Sequence, residues 1–308
     1  MVRRYLLSRL LQGVIVLFGA VAISFVLTNV IGKPADVLGG PYLTEEQRAA
    51  LNAELGYDRP LLPRFLDYLQ GVATGNFGTS YRTDDSALAL VLNALPNTLV
   101  LVLLALVVAV LIAISLATFS ARHREHRLDR LLRRTIGVLQ GMPEFWLALM
   151  LILIFSVQLA LFPSFGFYSP SSLVLPAAAL ALPLVPTLFR IFRGQLLDVL
   201  SGDFVEAMRA RGLSERLIVY RHALPNTTGP SATFIALQLG HLIGGSLIIE
   251  TIFSWPGIGN LTISSVQARD FAVVQAVIIV VAAFYVLLNL AADLIVMASD
   301  PRVRVGVS

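Results

Sequence analysis

Long apolar runs, separated by short polar stretches rich in arginine, proline or glycine, dominate the chain. A helix needs about 20 apolar residues to cross the hydrocarbon core of a bilayer. On that measure the runs predict six transmembrane helices, at Leu10–Ile31, Thr98–Phe119, Ile136–Leu161, Leu173–Phe192, Ser231–Phe253 and Ala272–Ala298. The second starts just after Pro96, and the fourth contains Pro176, Pro183 and Pro186. The first run follows Arg3, Arg4 and Arg9, as a signal peptide would. It is too long for an ordinary signal core, and no small-x-small cleavage site closes it, so it reads as a retained span. The expected fold class is an all-α polytopic membrane protein.

Arginine placement orients the spans. The N-terminus, the segments 122–134 and 190–221, and the C-terminal Arg302 and Arg304 hold 17 of the 23 basic residues; the opposite side holds six. Both termini are therefore expected on the cytoplasmic side of the membrane. The basic pI of about 9.7 is mostly this topology signal, and no nucleic-acid motif accompanies it.

Composition narrows the chemistry. Hydrophobic residues make up 56% and charged residues 14% of 308, with mean hydropathy +0.79, which a soluble domain of this size could not bury. Lys33 is the only lysine and precedes Pro34, so there is no Walker A site. If ATP is used, another chain binds it. Cysteine is absent, which excludes disulfides and thiolate chemistry. His123 and His126 sit in an arginine-rich stretch without carboxylate company suited to a metal, and there is no H-E-x-x-H. No cofactor or metal is expected in this chain.

The chain divides into residues 1–31 (N-terminus and first span), 32–95 (an extracytoplasmic loop subdomain), 96–298 (a five-helix core with an inner loop at 193–227) and 299–308 (a cytoplasmic tail). The loop subdomain is acidic, with eight Asp/Glu against five Lys/Arg. Thr44 and Gln47 form a capping box for a short helix that Gly56 can end. A second short helix is expected after Pro63, through Phe65 and Leu69 towards Gly71. The segment is either an ordered outer cap or a decorated linker.

In the inner loop, Phe204, Ala207 and Met208 share a helical face, while Glu206 and Arg209 lie elsewhere on that helix. Gly212 suits a left-handed stop, Ser214 can cap a second helix, and Pro225 should lie beyond its end. Two short helices with a glycine elbow would dock another protein or lie on the membrane surface.

Glu206-Ala207-x4-Gly212 followed by Leu224-Pro225 resembles the E-A-A-x3-G…L-P loop of binding-protein-dependent ABC importer permeases, with Met208 in place of the second alanine and His222 where an aliphatic residue is usual. Leu55-Gly-Tyr-Asp-Arg-Pro60, Gly75-Asn-Phe-Gly-Thr-Ser80, Leu95-Pro-Asn-Thr-Leu99, Met142-Pro-Glu-Phe-Trp146, Glu250-Thr-Ile-Phe-Ser-Trp-Pro-Gly-Ile-Gly259, Arg269-Asp-Phe271, Asp293 and Asp300-Pro-Arg-Val-Arg304 resemble the dipeptide/oligopeptide/nickel permeases of that family. Gly32-Lys-Pro-Ala-Asp36 departs from their compact turn. The long first outer loop resembles the first of the two permease subunits such systems carry.

The resemblance implies a type I ABC importer transmembrane domain. It implies a heterodimer with a second homologous permease and two cytoplasmic P-loop ATPases that hold ATP and Mg2+. It also implies an extracytoplasmic solute-binding protein. The ATPases would dock on Phe204, Glu206, Ala207, Met208, Gly212, Leu224 and Pro225, and drive alternating access.

Ionisable and small residues at membrane depth add candidates. Glu144 would line a translocation path or pair with an arginine. His241 would bond a neighbouring helix or line the path. Gly240 and Gly244 form a G-x-x-x-G pair suited to close packing against the partner permease, and Asp293 would cap, pair or touch substrate. The turn at Trp255-Pro256-Gly257 on the outer face, with Tyr42 of the first loop, is the candidate binding-protein contact. A stand-alone secondary transporter or channel remains the alternative function. A membrane-embedded enzyme is a third class, but Glu144, Glu250 and Asp293 form no paired-carboxylate or nucleophile–base motif.

Overall fold

Backbone N–H and C=O groups find no water in hydrocarbon, so an apolar run must satisfy them within itself as helix. The computed structural model describes residues 2–31, 44–54 and 58–299. Helix α1 is Val2–Ile31, α2 Glu45–Glu54, α3 Leu61–Thr74, α4 Ala87–Arg122 and α5 Arg127–Gln140. Helix α6, Glu144–Leu151, continues as π-helical turns over Ile152–Gln158. Then come α7 (Val174–Ala181), α8 (Val185–Leu200), α9 (Asp203–Ala210), α10 (Glu215–Leu217), α11 (Thr228–Ile252), α12 (Ile258–Gln267) and α13 (Phe271–Ser299).

Among the described residues, Leu7–Thr28, Ala87–Arg122, Pro170–Leu200 and Phe271–Ala291 are long and apolar enough to cross a membrane. They match the first, second, fourth and sixth expected spans. Helix α11 matches the fifth, with an apolar stretch at Leu237–Ile252.

Several boundaries differ from expectation, most plainly in three spans that contain or adjoin prolines. The second span does not start after Pro96; that residue lies inside α4, as transmembrane helices tolerate. The third does not run straight from Ile136. Pro143 occupies the N-cap of α6 and disfavours helix at Met142, so α5 and α6 meet at 103°. Ile136–Gln140 therefore belongs to α5. The fourth continues past Phe192 to Leu200. A 3-10 turn at Leu182–Leu184 takes up Pro183, and Pro186 sits in the first turn of α8, where its missing N–H is not needed.

The chain forms two compact units, one of residues 1–97 and 257–287, the other of 98–256 and 288–308. In the first, α1 packs on α3 through Phe25 and Phe65 (ring centroids 5.1 Å apart), with a 2.7 Å hydrogen bond between the Ser24 and Tyr68 hydroxyls. Gln275 Nε2 of α13 donates to Thr28 Oγ1 of α1 at 2.7 Å. The expected capping box forms: Gln47 N–H donates to Thr44 Oγ1 at 3.3 Å and Thr44 N–H to Gln47 Oε1 at 3.0 Å. Gly56 lies outside the described residues. The second short helix starts earlier and ends later than expected: Pro60 is its N-cap and Gly75, at φ +75°, is its left-handed stop, whereas Gly71 is inside it. That stop accounts for the start of Gly75-Asn-Phe-Gly-Thr-Ser80. Its end is anchored by the Ser80 hydroxyl, which donates to the buried Asp270 carboxylate.

The core of the second unit draws Leu101, Ala105, Ala109 and Ala113 of α4 against Leu180, Val185, Leu188, Phe189, Ile249, Phe253 and Trp255. At one end sits a polar hub. Asp129 of α5 is fully buried and accepts from Ser120 of α4. Arg193 of α8 donates to Asp129 Oδ2 at 3.1 Å and to Ser120 Oγ at 2.6 Å. Arg133 pairs with Asp129 at 3.3 Å, one turn along the same helix. One carboxylate thus ties three helices.

Removing one partner of a buried pair costs far more than breaking an exposed one. Arg193→Ala is expected to destabilise by about 2–3 kcal/mol. Arg59→Ala, which breaks the exposed 2.7 Å pair with Asp67, should cost less than ~1 kcal/mol. Thermal unfolding of the detergent-purified variants checks the order.

Candidate functional site

The inner loop folds into two helices at a fixed angle. Asp203 and Glu206 lie in the first turn of α9 and Arg209 in its last, matching the helix dipole at both ends. Gly212 takes φ +80°. Leu213 N–H bonds Met208 O at 3.2 Å and Gly212 N–H bonds Arg209 O at 2.9 Å, a Schellman stop. A Cβ at Gly212 would meet nothing within 4 Å, so only its left-handed backbone demands glycine. Ser214 caps α10 as expected, accepting from Leu217 N–H at 3.4 Å.

The elbow is braced and anchored. Arg209 Nε and Nη2 donate to Glu215 Oε1 and Oε2 at 2.6 and 3.3 Å, a bidentate clasp from α9 to α10. That hydrogen bonding, against partial burial, holds the Glu215 carboxyl below the usual carboxylate range. Val205, Ile218, Val219 and Ala223 are buried beneath, and Arg122 at the end of α4 lies 5.9 Å above the Tyr220 ring. Phe204 remains 45% exposed, with Glu206 and Ala207 also exposed and Met208 half-buried. The expected apolar face therefore exists, with Val205 beside it as the inward anchor.

One feature of this segment differs from expectation. The second helix does not end before Pro225. It widens into π-helical turns over Ile218–Ala223 and continues through Leu224–Asn226. The wider turn relieves the clash a proline ring makes with the preceding turn. Asn226 Nδ2 donates to His222 O at 2.8 Å, satisfying a carbonyl there. Leu224 is half-buried and Pro225 exposed.

At membrane depth the structure brings Glu144 beside α11: a Cβ on Gly245 would lie 3.5 Å from Glu144 Oε2. His241 and Gly244 are exposed on the same helix, and a Cβ on Gly244 would meet nothing within 4 Å. The expected arginine partner of Glu144 is not found among the described residues. Trp255 is only 1% exposed, stacked edge-on against Phe167 at 4.8 Å. Its side chain is thus interior, and of the expected outer contact Pro256 alone is exposed, Gly257 being buried. Tyr42 and the side chain of Asp293 lie outside the described residues.

Sequence reasoning missed three polar ties: the Arg209–Glu215 clasp, the Asp129 hub, and buried Glu250, which accepts from Thr98 Oγ1 at 2.7 Å. Asp129 carried a signal, as the one acidic residue among Arg127, Arg130, Arg133 and Arg134. The clasp carried none, because it closes across a non-helical turn.

Comparison with known proteins covers almost the whole chain. Residues 109–305 match the family "Binding-protein-dependent transport system inner membrane component", and residues 1–102 match the corresponding N-terminal family. The chain is 32% identical to a probable peptide ABC transporter permease of Sinorhizobium fredii, over 97% of this chain and 99% of that protein. It is 32% identical to the dipeptide transport system permease DppB of Alkalihalophilus pseudofirmus, with the same coverage. It is 33% identical to the glutathione transport system permease GsiC of Escherichia coli, over 97% and 98%. Among solved structures, the inward-facing MetNI methionine ABC transporter matches with TM-score 0.60 at 20% identity, covering 68% of this chain and 96% of that one. An amino acid ABC transporter solved with histidines matches at TM-score 0.51 and 20% identity, over 70% and 94%. These two establish the shared fold of type I importer transmembrane domains.

The clasp sets a pH dependence for the elbow. A depressed carboxyl pKa stabilises above the unfolded value and is lost as pH falls through the folded one. Glu215→Gln should therefore speed amide exchange in 203–217 by about two- to fivefold. That ratio should stay constant from pH 8 to 5 and shrink only below about pH 4. Hydrogen-exchange mass spectrometry of the two proteins reads it.

Proposed function

This chain belongs to the family of binding-protein-dependent transport system inner membrane components, and on that premise we propose that it carries di- or oligopeptides, or a related small solute, inward by alternating access. The chain is a permease subunit of an ABC importer in the cytoplasmic membrane, and its curated relatives are permeases for peptides, dipeptides, oligopeptides and glutathione. The observation that carries the coupling step is the elbow. It offers Phe204, Glu206, Ala207 and Met208 on a short helix whose angle is fixed by the Gly212 stop and the Arg209–Glu215 clasp.

In this reading both termini and the elbow are cytoplasmic. Each of two P-loop ATPases, holding ATP and Mg2+, seats an elbow in a surface groove. One elbow comes from this chain and one from a second homologous permease. ATP closes the ATPase pair, swings the elbows and opens the path outward, where a solute-binding protein delivers its load near Pro256 and the first outer loop. Hydrolysis returns the path inward. Glu144, His241 and Gly244 lie where α11 meets the path and the partner permease.

Two experiments test this. Gentle purification of the tagged chain from its native membrane, followed by mass spectrometry, should recover a second permease and one or two P-loop ATPases. Recovery of the chain alone, still moving solute, favours a secondary transporter or channel. In the assembled complex, Gly212→Pro or Glu206→Arg should leave ATP hydrolysis running while uptake falls by at least tenfold; normal uptake removes the elbow from the mechanism.

A separate outcome is expected for Gly244→Leu. An added Cβ there meets no described atom within 4 Å, so the variant should accumulate normally yet fail to pair with the partner permease or to transport. Unchanged co-purification and uptake would refute a packing role for this face.

A further inference from the structure

Two residues fasten the C-terminal half of α8 on opposite sides. Arg193 and Gln195 stand two positions apart, so their side chains leave the helix about 200° apart. Arg193 reaches α4 and α5: its Nε donates to Ser120 Oγ at 2.6 Å and its Nη2 to Asp129 Oδ2 at 3.1 Å. Gln195 accepts from the Ser231 hydroxyl of α11. Between them Leu196, 1% exposed, packs with Ala121 of α4 and Ala223 of the π-helical turns. Only Ser201 and Gly202 then separate α8 from α9. The elbow thus hangs from a helix end that is tied to three others.

A buried ion pair is a poor source of net stability, because apolar residues of similar volume often do as well; the best-attested use of such a group is to fix register. Asp129 and Ser120 are fully buried. Sliding α8 past α4 and α5 by one helical turn, about 5.4 Å, would carry the Arg193 guanidinium away from both. The buried carboxylate would keep only Arg133, whose side chain is 46% exposed. The cost of stranding that charge holds α8 in a single register.

We propose that Arg193 is a positioning residue for coupling: through Asp129 and Ser120 it locks α4, α5 and α8 into one body at the end that carries the elbow. Displacement of α9 then reaches α5 and, beyond its bend, the helix of Glu144, as well as α11. The proposal rests on the elbow reading given above and adds to it the residue that passes the motion on. A tie that merely stabilised the fold would not have to keep distances across it constant while the transporter cycles; a register lock does.

The chain has no cysteine, so spin labels can be introduced in pairs. Ala210→Cys on α9 with Leu131→Cys on α5 spans the hub. Ala210→Cys with Leu66→Cys on α3 reports whether the elbow moves against the first unit. All three positions are exposed. In the complex purified with its ATPases, double electron–electron resonance is read without nucleotide and after trapping with ATP and vanadate. The α9–α3 distance should change on trapping, and the α9–α5 distance by less than about 2 Å. In Arg193→Gln the α9–α5 distance should shift or spread by about 5 Å, one helical turn. The double variant Asp129→Leu with Arg193→Met, which exchanges the pair for apolar bulk, should recover the parental thermal midpoint but not the constant distance. Ser24→Ala, which breaks a buried hydrogen bond in the first unit, should leave the α9–α5 distance constant. An α9–α3 distance that never changes in the parent overturns the elbow reading and this proposal with it. If that distance changes, three outcomes refute the register lock while the elbow reading stands: an α9–α5 distance that changes equally in the parent, one that stays constant in Arg193→Gln, or one that stays constant in the double variant.

Discussion

Hydrocarbon leaves a peptide group no partner but another peptide group, so each proline within a span is a local problem to be solved. Pro183 is taken into a 3-10 turn, Pro186 sits where its N–H would be an orphan anyway, and Pro225 follows a stretch of widened π-helical turns. Among the described residues, the helices on either side of Gly141-Met142-Pro143 are bent by 103°. Breaks are tolerated where water or a side chain completes the hydrogen bonds, as Asn226 does for His222 O.

Where packing is between apolar surfaces on both sides, the hydrophobic effect selects weakly among neighbours. Specificity then falls to a few polar ties, each fully satisfied. In the first unit these are Thr28 with Gln275, Ser24 with Tyr68 and Ser80 with Asp270. In the second they are Thr98 with Glu250 and the Asp129 hub. Small residues supply the close approach: an added Cβ at Gly13 would lie 2.7 Å from Val286 Cγ1. The same logic explains why Trp255 is interior. A ring of that size beside Phe167 fills the core at the end of α11, and the sharp turn at Ser254, φ +50°, aims it inward.

The helices, their order and the elbow were legible because each depends on local signals: apolar length, a capping box at Thr44 and Gln47, a left-handed glycine at 212, a cap at Ser214. The third span was misjudged because hydropathy alone does not weigh Pro143 against the apolar residues on either side. The Trp255 turn was read from interfacial preference, which says nothing about whether another helix covers the ring. The clasp between Arg209 and Glu215 and the tie between Thr98 and Glu250 join residues whose proximity is created by a turn or by tertiary packing, so no periodicity announces them. The elbow motif was readable because it occupies a short contiguous segment. The path candidates Glu144, His241 and Gly244 sit on two helices and carry no comparable signature.

The elbow is also continuous with the helix that carries the path candidates. Val205 of α9 is buried, as are Ile218 and Val219, and from there the π-helical turns, Leu224–Asn226 and α11 follow in close succession. Ser231 near the start of α11 bonds Gln195 of α8 through its hydroxyl, so the two helices are joined just above the elbow. The Gly212 turn is closed by two backbone hydrogen bonds and the bidentate clasp, so α9, α10 and the base of α11 form one braced piece, tied to α8 through Gln195. The helix is widened at 218–223, between the elbow and α11, whereas the far end of α11 is closed by the buried Glu250 and Trp255.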